Sequence, residues 1–305
     1  MIIMDMLHYV LKSISTIMQE IISENGYIGR FGGEEFLIVI YDCNFDKVMK
    51  IAEQYDLKGK IAIITGAGDG IGKASALKLA EAGADVVCSD LDIEKARETA
   101  KEAAEFGVKA LAVKCNVTIE EDLKNLVDET IKNFGKVNIL VNNAGGGGGG
   151  REKLEELTLD YITFIYKLNV FSIFTLMKLC APYMRKDNYG SIINISSMAS
   201  NMVSPNMSVY GSSKAAINQL TKYAALDLGP EIRVNAIGPG AIKTKALASV
   251  LTPEIEEKML AKTPVKRLGE VNDIAMGVLY FASPASSWTS GQILFINGGG
   301  IQELD

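Results

Sequence analysis

Histidine is almost absent from this 305-residue chain: the single residue, His8, lies close to its start. The rest of the chain therefore cannot contain a Ser-His-Asp or Cys-His catalytic group, or a zinc site built on histidines. Its four cysteines, Cys43, Cys88, Cys115 and Cys180, show no Cys-x-x-Cys spacing, which argues against thiolate metal ligands and a redox pair. We therefore expect no metal, and we expect reduced, buried thiols in a cytoplasmic protein.

The lack of basic blocks and of long apolar runs limits the partners that the chain could bind. Lysine and arginine number 31 and the acidic residues 37, so the net charge is −6, and no basic block is present. We therefore expect no nucleic-acid partner and no attraction to an anionic membrane. No apolar run approaches the roughly 20 residues that span a bilayer, and the first residues lack the basic segment of a signal peptide. These patterns favour a cytoplasmic protein without a membrane partner.

The composition changes near residue 56, which predicts two parts, 1–56 and 57–305. In the second part, short Val/Ile-rich runs alternate with longer helical stretches, as in a parallel sheet covered on both faces. The sequence therefore predicts an α/β fold, a doubly wound Rossmann-type parallel sheet of seven strands, preceded by a small α+β N-terminal remnant. The predicted strands are Lys60–Thr65, Asp85–Ser89, Lys109–Lys114, Asn138–Asn142, Ser191–Ser196, Arg233–Ile237 and Gln292–Ile296.

Three helix signals can be compared directly with the structure. Apolar spacing predicts one uninterrupted helix over Leu159–Arg185. Thr118 followed by Glu121 has the spacing of a capping box. Thr252 and Pro253 are typical of an N-cap residue and the first residue of a helix.

A glycine-rich turn follows the first strand of the second part and precedes a helix. Its residues include Gly66, Asp69, Gly70, Ile71 and Gly72. Glycines allow a tight turn there and let backbone N–H groups approach a pyrophosphate at the N-terminus of the helix. A strand–turn–helix context makes this pattern indicative of a dinucleotide site.

Acidic and amide residues occur at the ends of the next strands. Asp90 ends the second strand, 18 residues after Gly72, at the spacing of the acid that binds the adenosine ribose. A carboxylate there, together with the acidic Asp69, favours NAD over NADP because both would repel a 2′-phosphate. Asn116-Val117 follows the third strand and Asn142-Asn143-Ala144-Gly145 the fourth. All lie at carboxyl ends of strands, where open α/β sheets bind ligands.

The catalytic candidates lie further along the chain. Tyr210 and Lys214 are four residues apart, so they share one face of a predicted helix. A phenol has a pKa near 10, and a nearby ammonium group together with an oxidised nicotinamide ring would lower it. Ser197, 13 residues before the tyrosine, ends the fifth strand and can reach the same pocket. Asn169 lies in the preceding apolar helix, where a polar side chain needs an explanation.

With these motifs in this order, residues 57–305 resemble the short-chain dehydrogenase/reductase family. The resemblance implies a catalytic group of Asn169, Ser197, Tyr210 and Lys214. In it, Tyr210 is the general acid/base, Lys214 holds the nicotinamide ribose, Ser197 orients the reacting oxygen and Asn169 holds a water. It implies that NAD contacts Gly66, Asp69, Gly70, Ile71, Gly72, Asp90, Asn116, Val117, Asn143, Ala144, Gly145, Tyr210, Lys214, Pro239, Gly240, Ile242 and Thr244. The chain departs from the family at Asn116, where an aspartate is usual against the adenine; its amide oxygen can still accept a hydrogen bond.

Substrate contacts are expected from the loop 145–150, the segment 198–207 and an apolar flap, 246–262, with Gly147, Ser197 and Tyr210 as binding residues. The flap and the C-terminal tail resemble the bacterial NAD-dependent 7α-hydroxysteroid dehydrogenases. This resemblance implies oxidation of the 7α-hydroxyl of bile acids such as cholate and chenodeoxycholate, and a homotetramer. A 3-oxoacyl-carrier-protein reductase and another sugar or alcohol dehydrogenase remain as alternatives.

Residues 7–55 resemble the second half of a GGDEF diguanylate cyclase domain. The stretch Ile28-Gly29-Arg30-Phe31-Gly32-Gly33-Glu34-Glu35-Phe36 carries this resemblance. It implies a nucleotide-signalling module fused to an oxidoreductase. The segment does not include the first strand of a cyclase, its metal-binding aspartate or the upstream Arg-x-x-Asp site, so we expect a truncated remnant without cyclase activity.

Overall fold

The computed structural model describes residues 26–30, 36–40, 50–147, 153–248 and 251–300. The chain divides into two compact units, Met1–Asp56 and Leu57–Asp305. In the first unit, β1 (Gly26–Arg30) and β2 (Phe36–Ile40) form an antiparallel hairpin in which Ile28 lies opposite Ile38. The Gly-Gly-Glu-Glu turn and the helix predicted over 7–23 lie outside the described residues.

The second unit is built on a parallel sheet of seven strands, as the sequence predicted. Its strands are β3 (Ile61–Thr65), β4 (Asp85–Asp90), β5 (Ala110–Lys114), β6 (Ile139–Asn142), β7 (Gly190–Ile195), β8 (Ile232–Pro239) and β9 (Ile293–Ile296). They lie in the order β5-β4-β3-β6-β7-β8-β9, and every neighbouring pair is parallel. The strand order reverses between β3 and β6, so a crevice opens at the carboxyl ends of the strands.

Helices cover both faces of this sheet. They are α1 (Gly70–Glu81), α2 (Ile93–Ala104), α3 (Glu120–Phe134), α4 (Leu159–Tyr166), α5 (Ser172–Lys186), α6 (Ser208–Leu228), α7 (Lys245–Ala248), α8 (Pro253–Ala261) and α9 (Val271–Ala282). Helix α1 packs against α9 and α2, whereas α3 packs against α5. The core lies between these layers and the central strands; β3 and β6 are buried along their whole length. Each fully buried isoleucine or leucine there contributes about 1.5–3 kcal/mol.

The predicted helix over 159–185 is interrupted. A π-helical turn, Lys167–Phe171, separates α4 from α5, and the Ser172 N–H bonds to the carbonyl oxygen of Lys167. The interruption contains Asn169, and π turns often occur at functional sites. The whole stretch, Leu159–Lys186, has 28 residues and contains an 18-residue window with a mean hydropathy of 1.4, so by length and composition it could cross a membrane. The sequence reading missed this, but half of the apolar window is buried, as in the core helix of a globular domain.

Of the two helix caps predicted from the sequence, the structure confirms one and contradicts the other. Thr252 caps α8 by accepting the N–H of Ile255 at 3.3 Å, as predicted. The capping box predicted at Thr118 is wrong: α3 begins after Ile119 without a side-chain cap. The Thr118 hydroxyl instead donates to the Asn116 side chain at 2.8 Å, because the turn that ends β5 competes for it.

Candidate active site

A cleft of about 960 Å³ lies at the carboxyl ends of the strands. Of the residues predicted for the cofactor, the catalytic group and the substrate, two do not line it: Gly72 and Asn169. Those that do are Gly66, Asp69, Gly70, Ile71, Asp90, Asn116, Val117, Asn143, Ala144, Gly145, Gly147, Ser197, Tyr210, Lys214, Pro239, Gly240, Ile242 and Thr244. The parallel strand order therefore brings together residues that are far apart in the sequence.

The glycine-rich turn places the N-terminus of α1 at this cleft. A Cβ at Gly72 would lie 2.0 Å from the carbonyl oxygen of Gly66, so this position admits no side chain. Gly66 itself has φ +64°, a left-handed conformation that favours glycine. Gly72 thus acts by allowing the helix and the strand to approach each other, and the helix dipole faces the cleft.

Both carboxylate oxygens of Asp69 are bonded to other groups of the protein, which the sequence did not indicate. One carboxylate oxygen accepts the N–H of Gly70 at 2.8 Å, which caps α1. The other forms an ion pair with Lys245 at 2.7 Å, and this hydrogen bond lowers the pKa of Asp69. Because its charge is paired across the cleft with the first residue of α7, Asp69 is a weaker obstacle to a 2′-phosphate than expected.

Asp90 is held at the end of β4 by two backbone groups. Its Oδ2 accepts the N–H of Gly68 at 2.9 Å and its Oδ1 that of Asp92 at 3.0 Å. A Cβ at Gly68 would lie 2.8 Å from this carboxylate, so only glycine allows the contact. The carboxylate lines the cleft where a ribose would lie next to the glycine-rich turn.

The Asn116 side chain is already engaged within its own turn. Its Oδ1 accepts the backbone N–H of Thr118 at 3.0 Å and the hydroxyl of the same residue at 2.8 Å. These two bonds use both lone pairs of the oxygen. The hydrogen bond expected from an adenine amino group to this oxygen would therefore require the turn to rearrange.

Thr65 fastens the Asn-Asn-Ala-Gly segment, a role that the sequence analysis did not assign. Its hydroxyl oxygen accepts the N–H groups of Asn143 and Ala144 at 3.1 and 3.0 Å. The Asn143 side chain in turn donates to the carbonyl oxygens of Thr65 and Gly66 at 2.9 and 3.1 Å. The ends of β3 and β6 are thus joined by side chains, and Asn143 acts chiefly through this connection.

Tyr210 and Lys214 lie on α6, on one side of the cleft. The Lys214 ammonium is buried, donates to the carbonyl oxygen of Ile195 at 2.9 Å and lies 5.7 Å from the centre of the Tyr210 ring. Burial lowers the pKa of Lys214 to about 8. Burial also raises the pKa of Tyr210, although a hydrogen bond with Ser197 opposes the rise. The lower tyrosine pKa that the sequence analysis expected therefore needs charges beyond those of the surrounding protein.

Asn169 is buried in the π turn, and its side-chain amide is fully used. Its Oδ1 accepts the N–H of Gly146 at 3.0 Å, while its Nδ2 donates to the carbonyl oxygen of Gly146 at 3.0 Å and to Ser213 Oγ at 2.9 Å. This side chain therefore fixes the loop beside Tyr210. The sequence analysis missed Ser213, although its position next to Lys214 was a signal.

A smaller pocket of about 250 Å³ adjoins Ser197 and Tyr210. Its other lining residues are mostly apolar and include Met198, Met202, Met207, Leu247 and Met259. The predicted flap and the segment after Ser197 thus both contribute. The loop residue Gly147 lines the larger cleft, and its carbonyl oxygen accepts the Tyr161 hydroxyl at 2.7 Å. Residues 148–150 and 249–250, which were also predicted to contact substrate, lie outside the described residues. Within the described ranges, no three His, Cys, Asp or Glu side chains come together as metal ligands would.

The chain is similar to known oxidoreductases. A family model described as enoyl-(acyl carrier protein) reductase matches residues 66–300. The 7α-hydroxysteroid dehydrogenase of Escherichia coli K12 is 51% identical over 250 residues, which cover 82% of this chain and 97% of that protein. A 3-oxoacyl-[acyl-carrier-protein] reductase of Thermotoga maritima is 35% identical over 245 residues, 80% of this chain and 98% of that one.

A solved structure, a 7α-hydroxysteroid dehydrogenase complexed with NADH and 7-oxo glycochenodeoxycholic acid, is also similar. It has a TM-score of 0.81 and 50% identity, with 83% of this chain and 99% of that chain covered. The family match begins at residue 66 and lends no support to the GGDEF resemblance of residues 7–55. Over the region that contains the cleft, the chain is an oxidoreductase and belongs to the short-chain dehydrogenase/reductase family.

Proposed function

We propose that this protein is an NAD-dependent 7α-hydroxysteroid dehydrogenase. It oxidises the 7α-hydroxyl of bile acids such as cholate and chenodeoxycholate to the 7-oxo form. The observation that carries the proposal is the similarity to the E. coli enzyme, which extends over nearly the whole length of that relative and includes the flap that lines the smaller pocket. The similar structure with NADH and a 7-oxo bile acid supports the same substrate class.

The cleft fits NAD by its own residues. The glycine-rich turn brings backbone N–H groups and the α1 dipole to the pyrophosphate position, and the carboxyl end of β4 presents Asp90 to the adenosine ribose. A carboxylate held in place by two backbone N–H groups cannot turn away from a 2′-phosphate, which favours NAD over NADP. When bound, NAD accepts the hydride from the alcohol carbon.

Tyr210 is the proposed general base that takes the proton of the substrate hydroxyl. Ser197, hydrogen-bonded to Tyr210, orients the same oxygen. Lys214 holds a positive charge near the phenol and contacts the nicotinamide ribose, while its bond to Ile195 fixes its position. Asn169 acts through Gly146 and Ser213, so in this structure its side chain positions the site, and the water expected from the family would need its backbone carbonyl.

A 3-oxoacyl-carrier-protein reductase is the second candidate. The description of the matching family model and the T. maritima relative favour it. Reductases of this kind normally use NADPH, and the fixed carboxylate of Asp90 argues against that cofactor. A sugar or other alcohol dehydrogenase is a third candidate within the same fold, since the fold alone does not determine the substrate.

The assembly we propose is a cytoplasmic homotetramer. An apolar groove of about 600 Å³ lies between α5 and α6, lined by Phe174, Met177, Leu220 and Tyr223. A second exposed apolar side chain is that of Trp288, which is fully exposed and precedes the edge strand β9 in the chain. Two separate self-complementary faces would join four copies. Light scattering tests this directly: the expected mass is four times the 32.9 kDa chain, and a monomer would contradict it.

The substrate test compares two bile acids that differ at one position. NADH formation is measured with cholate and with deoxycholate, which lacks only the 7α-hydroxyl. We expect turnover of cholate alone. Turnover of both would move the reaction to another hydroxyl of the steroid. Turnover of neither by a folded protein that binds NAD would refute the substrate while leaving the dehydrogenase chemistry, and an acyl-carrier-protein substrate would then be tested with NADH and NADPH.

A further inference from the structure

The methionine-lined pocket beside Ser197 is where an apolar substrate would rest. Met198 and Met202 follow β7, and Met259 comes from α8. Methionine side chains are unbranched and adapt to irregular apolar surfaces. This flexibility has a cost, because each unfixed side chain must lose rotamer freedom when a substrate packs against it. A contact that fixes one of them beforehand would favour substrate binding.

Asn297 makes such a contact with Met198. This residue directly follows β9, and its Nδ2 donates to the Met198 sulfur at 3.2 Å and to the carbonyl oxygen of Gly300 at 3.0 Å. Its Oδ1 accepts the N–H of Gly299 at 3.1 Å. The amide therefore lies between a short C-terminal turn and the first residue after Ser197.

The same turn also packs against the residues that follow α8, the helix that contributes Met259 to the pocket. A Cβ at Gly300 would lie 2.6 Å from Thr263 Oγ1, so the backbone of the turn packs tightly against the residues that follow α8. The Thr263 hydroxyl donates to the carbonyl oxygen of Met259 at 2.8 Å. Gly298 and Gly299 have φ of +65° and +74°, conformations in which other residues are strained. The turn 297–300 is thus fixed against both Met198 and the end of α8.

We propose that Asn297 is a positioning residue for substrate specificity. Its amide fixes the Met198 side chain as one wall of the pocket, so that the apolar face of a steroid alcohol meets a preformed surface. The inference rests on the proposed function, since it assigns the pocket to the steroid. Asn297 does not touch the reacting atoms and acts through Met198 alone.

The test is a double-mutant cycle on the full chain. Asn297→Asp keeps the oxygen that accepts the Gly299 N–H but removes both amide donors. Met198→Leu removes the sulfur acceptor and keeps an apolar side chain. Met202→Leu is the matched control, because Met202 lines the same pocket and the described contacts include no hydrogen bond between its sulfur and Asn297.

Asn297→Asp should raise the KM for cholate about fivefold in the wild type, the size expected for one lost hydrogen bond. It should do the same in the Met202→Leu background and leave KM unchanged in the Met198→Leu background. The kcat should stay within twofold, and the Kd for NADH, followed by its fluorescence, should not change. An equal rise of KM in the Met198→Leu background would overturn the proposal, because Asn297→Asp would then act through the lost bond to Gly300 or through its new carboxylate and not through Met198.

Methyl NMR keeps the inference testable without turnover. The protein has 12 methionines, and with ¹³C-labelled methyl groups the Met198 signal is the one that Met198→Leu removes. We expect this signal to lie away from the random-coil position in the NADH complex, to move towards it in Asn297→Asp, and to shift when cholate is added. If cholate is not oxidised, the proposed function fails, yet the effect of Asn297→Asp on this signal still decides the inference. A Met198 signal that Asn297→Asp leaves unchanged would overturn it.

Discussion

Gly145 lies between the two polar side chains that organise the active site. A Cβ at this position would be 2.9 Å from Asn169 Oδ1 and 3.2 Å from Lys214 Nζ, whereas ordinary contacts begin at 3.4 Å. Gly145→Ala must therefore displace both groups by a few tenths of an ångström. Misplacement by 1 Å costs about a hundredfold in rate, so we expect kcat to fall roughly ten- to a hundredfold, about 1.4–2.7 kcal/mol.

The neighbouring glycine provides the matched control. A Cβ at Gly146 would meet only Leu168, at 4.0 Å, so Gly146→Ala should change kcat less than threefold. The assay is NADH formation at saturating cholate, with the Kd for NADH measured separately by fluorescence, which should change little in either variant. Equal losses of kcat in the two variants would refute the reasoning, because they would show that loop flexibility matters and not the space around Lys214.

Three further variants test the site. Tyr210→Phe should lower kcat by at least a thousandfold while NADH binding stays intact; substantial activity would remove the proposed base. Asp90→Asn removes a charge but keeps an oxygen for the Gly68 N–H, and the ratio of the Kd values for NADP and NAD should fall at least tenfold; an unchanged ratio would mean that another group selects the cofactor. Burial lowers the pKa of Lys214 to about 8, so between pH 8 and the unfolded value near 10.4 the unfolded chain binds more protons and stability rises with pH. The stability of the wild type relative to Lys214→Met, measured by urea unfolding, should therefore increase by about 2 kcal/mol from pH 8 to 10, and a flat difference would contradict the lowered pKa.

The fold was predictable because its central strands are buried on both faces. Strands such as β3 and β6 are continuous apolar runs. Such runs are typical of the strands of a parallel sheet that lies between two layers of helices. Once the strands are located, the residues at their carboxyl ends can be assigned to the cleft. Asp90 and Asn143 are placed there in this way without any knowledge of the loops. The clustering of the candidate residues is thus a consequence of strand order.

The details that depend on a distant partner were not predictable. Asp69 resembled a free acid in the sequence, and only the folded chain brings Lys245 to it, 176 residues away in numbering (245 − 69). The hydroxyl of Thr118 could either accept a backbone N–H of the following helix or donate to the Asn116 side chain, and local spacing gave no weight to the turn at Asn116. Similarly, Asn169 in the π turn bonds to Gly146 and Ser213, partners that no helical periodicity indicates.

The charges of Tyr210 and Lys214 are best understood as a pair. Burial lowers the pKa of the lysine and raises that of the tyrosine, so the protein disfavours each charge alone. Together, a phenolate and an ammonium stabilise each other, and the positive ring of oxidised NAD would add to this effect. In the proposed mechanism, the phenol would therefore lose its proton mainly when the oxidised cofactor is bound. In the proposed mechanism, coupling of this kind would link the proton that leaves the alcohol to the hydride that leaves with it, and a site enclosed enough to penalise charge would still carry out base catalysis at neutral pH.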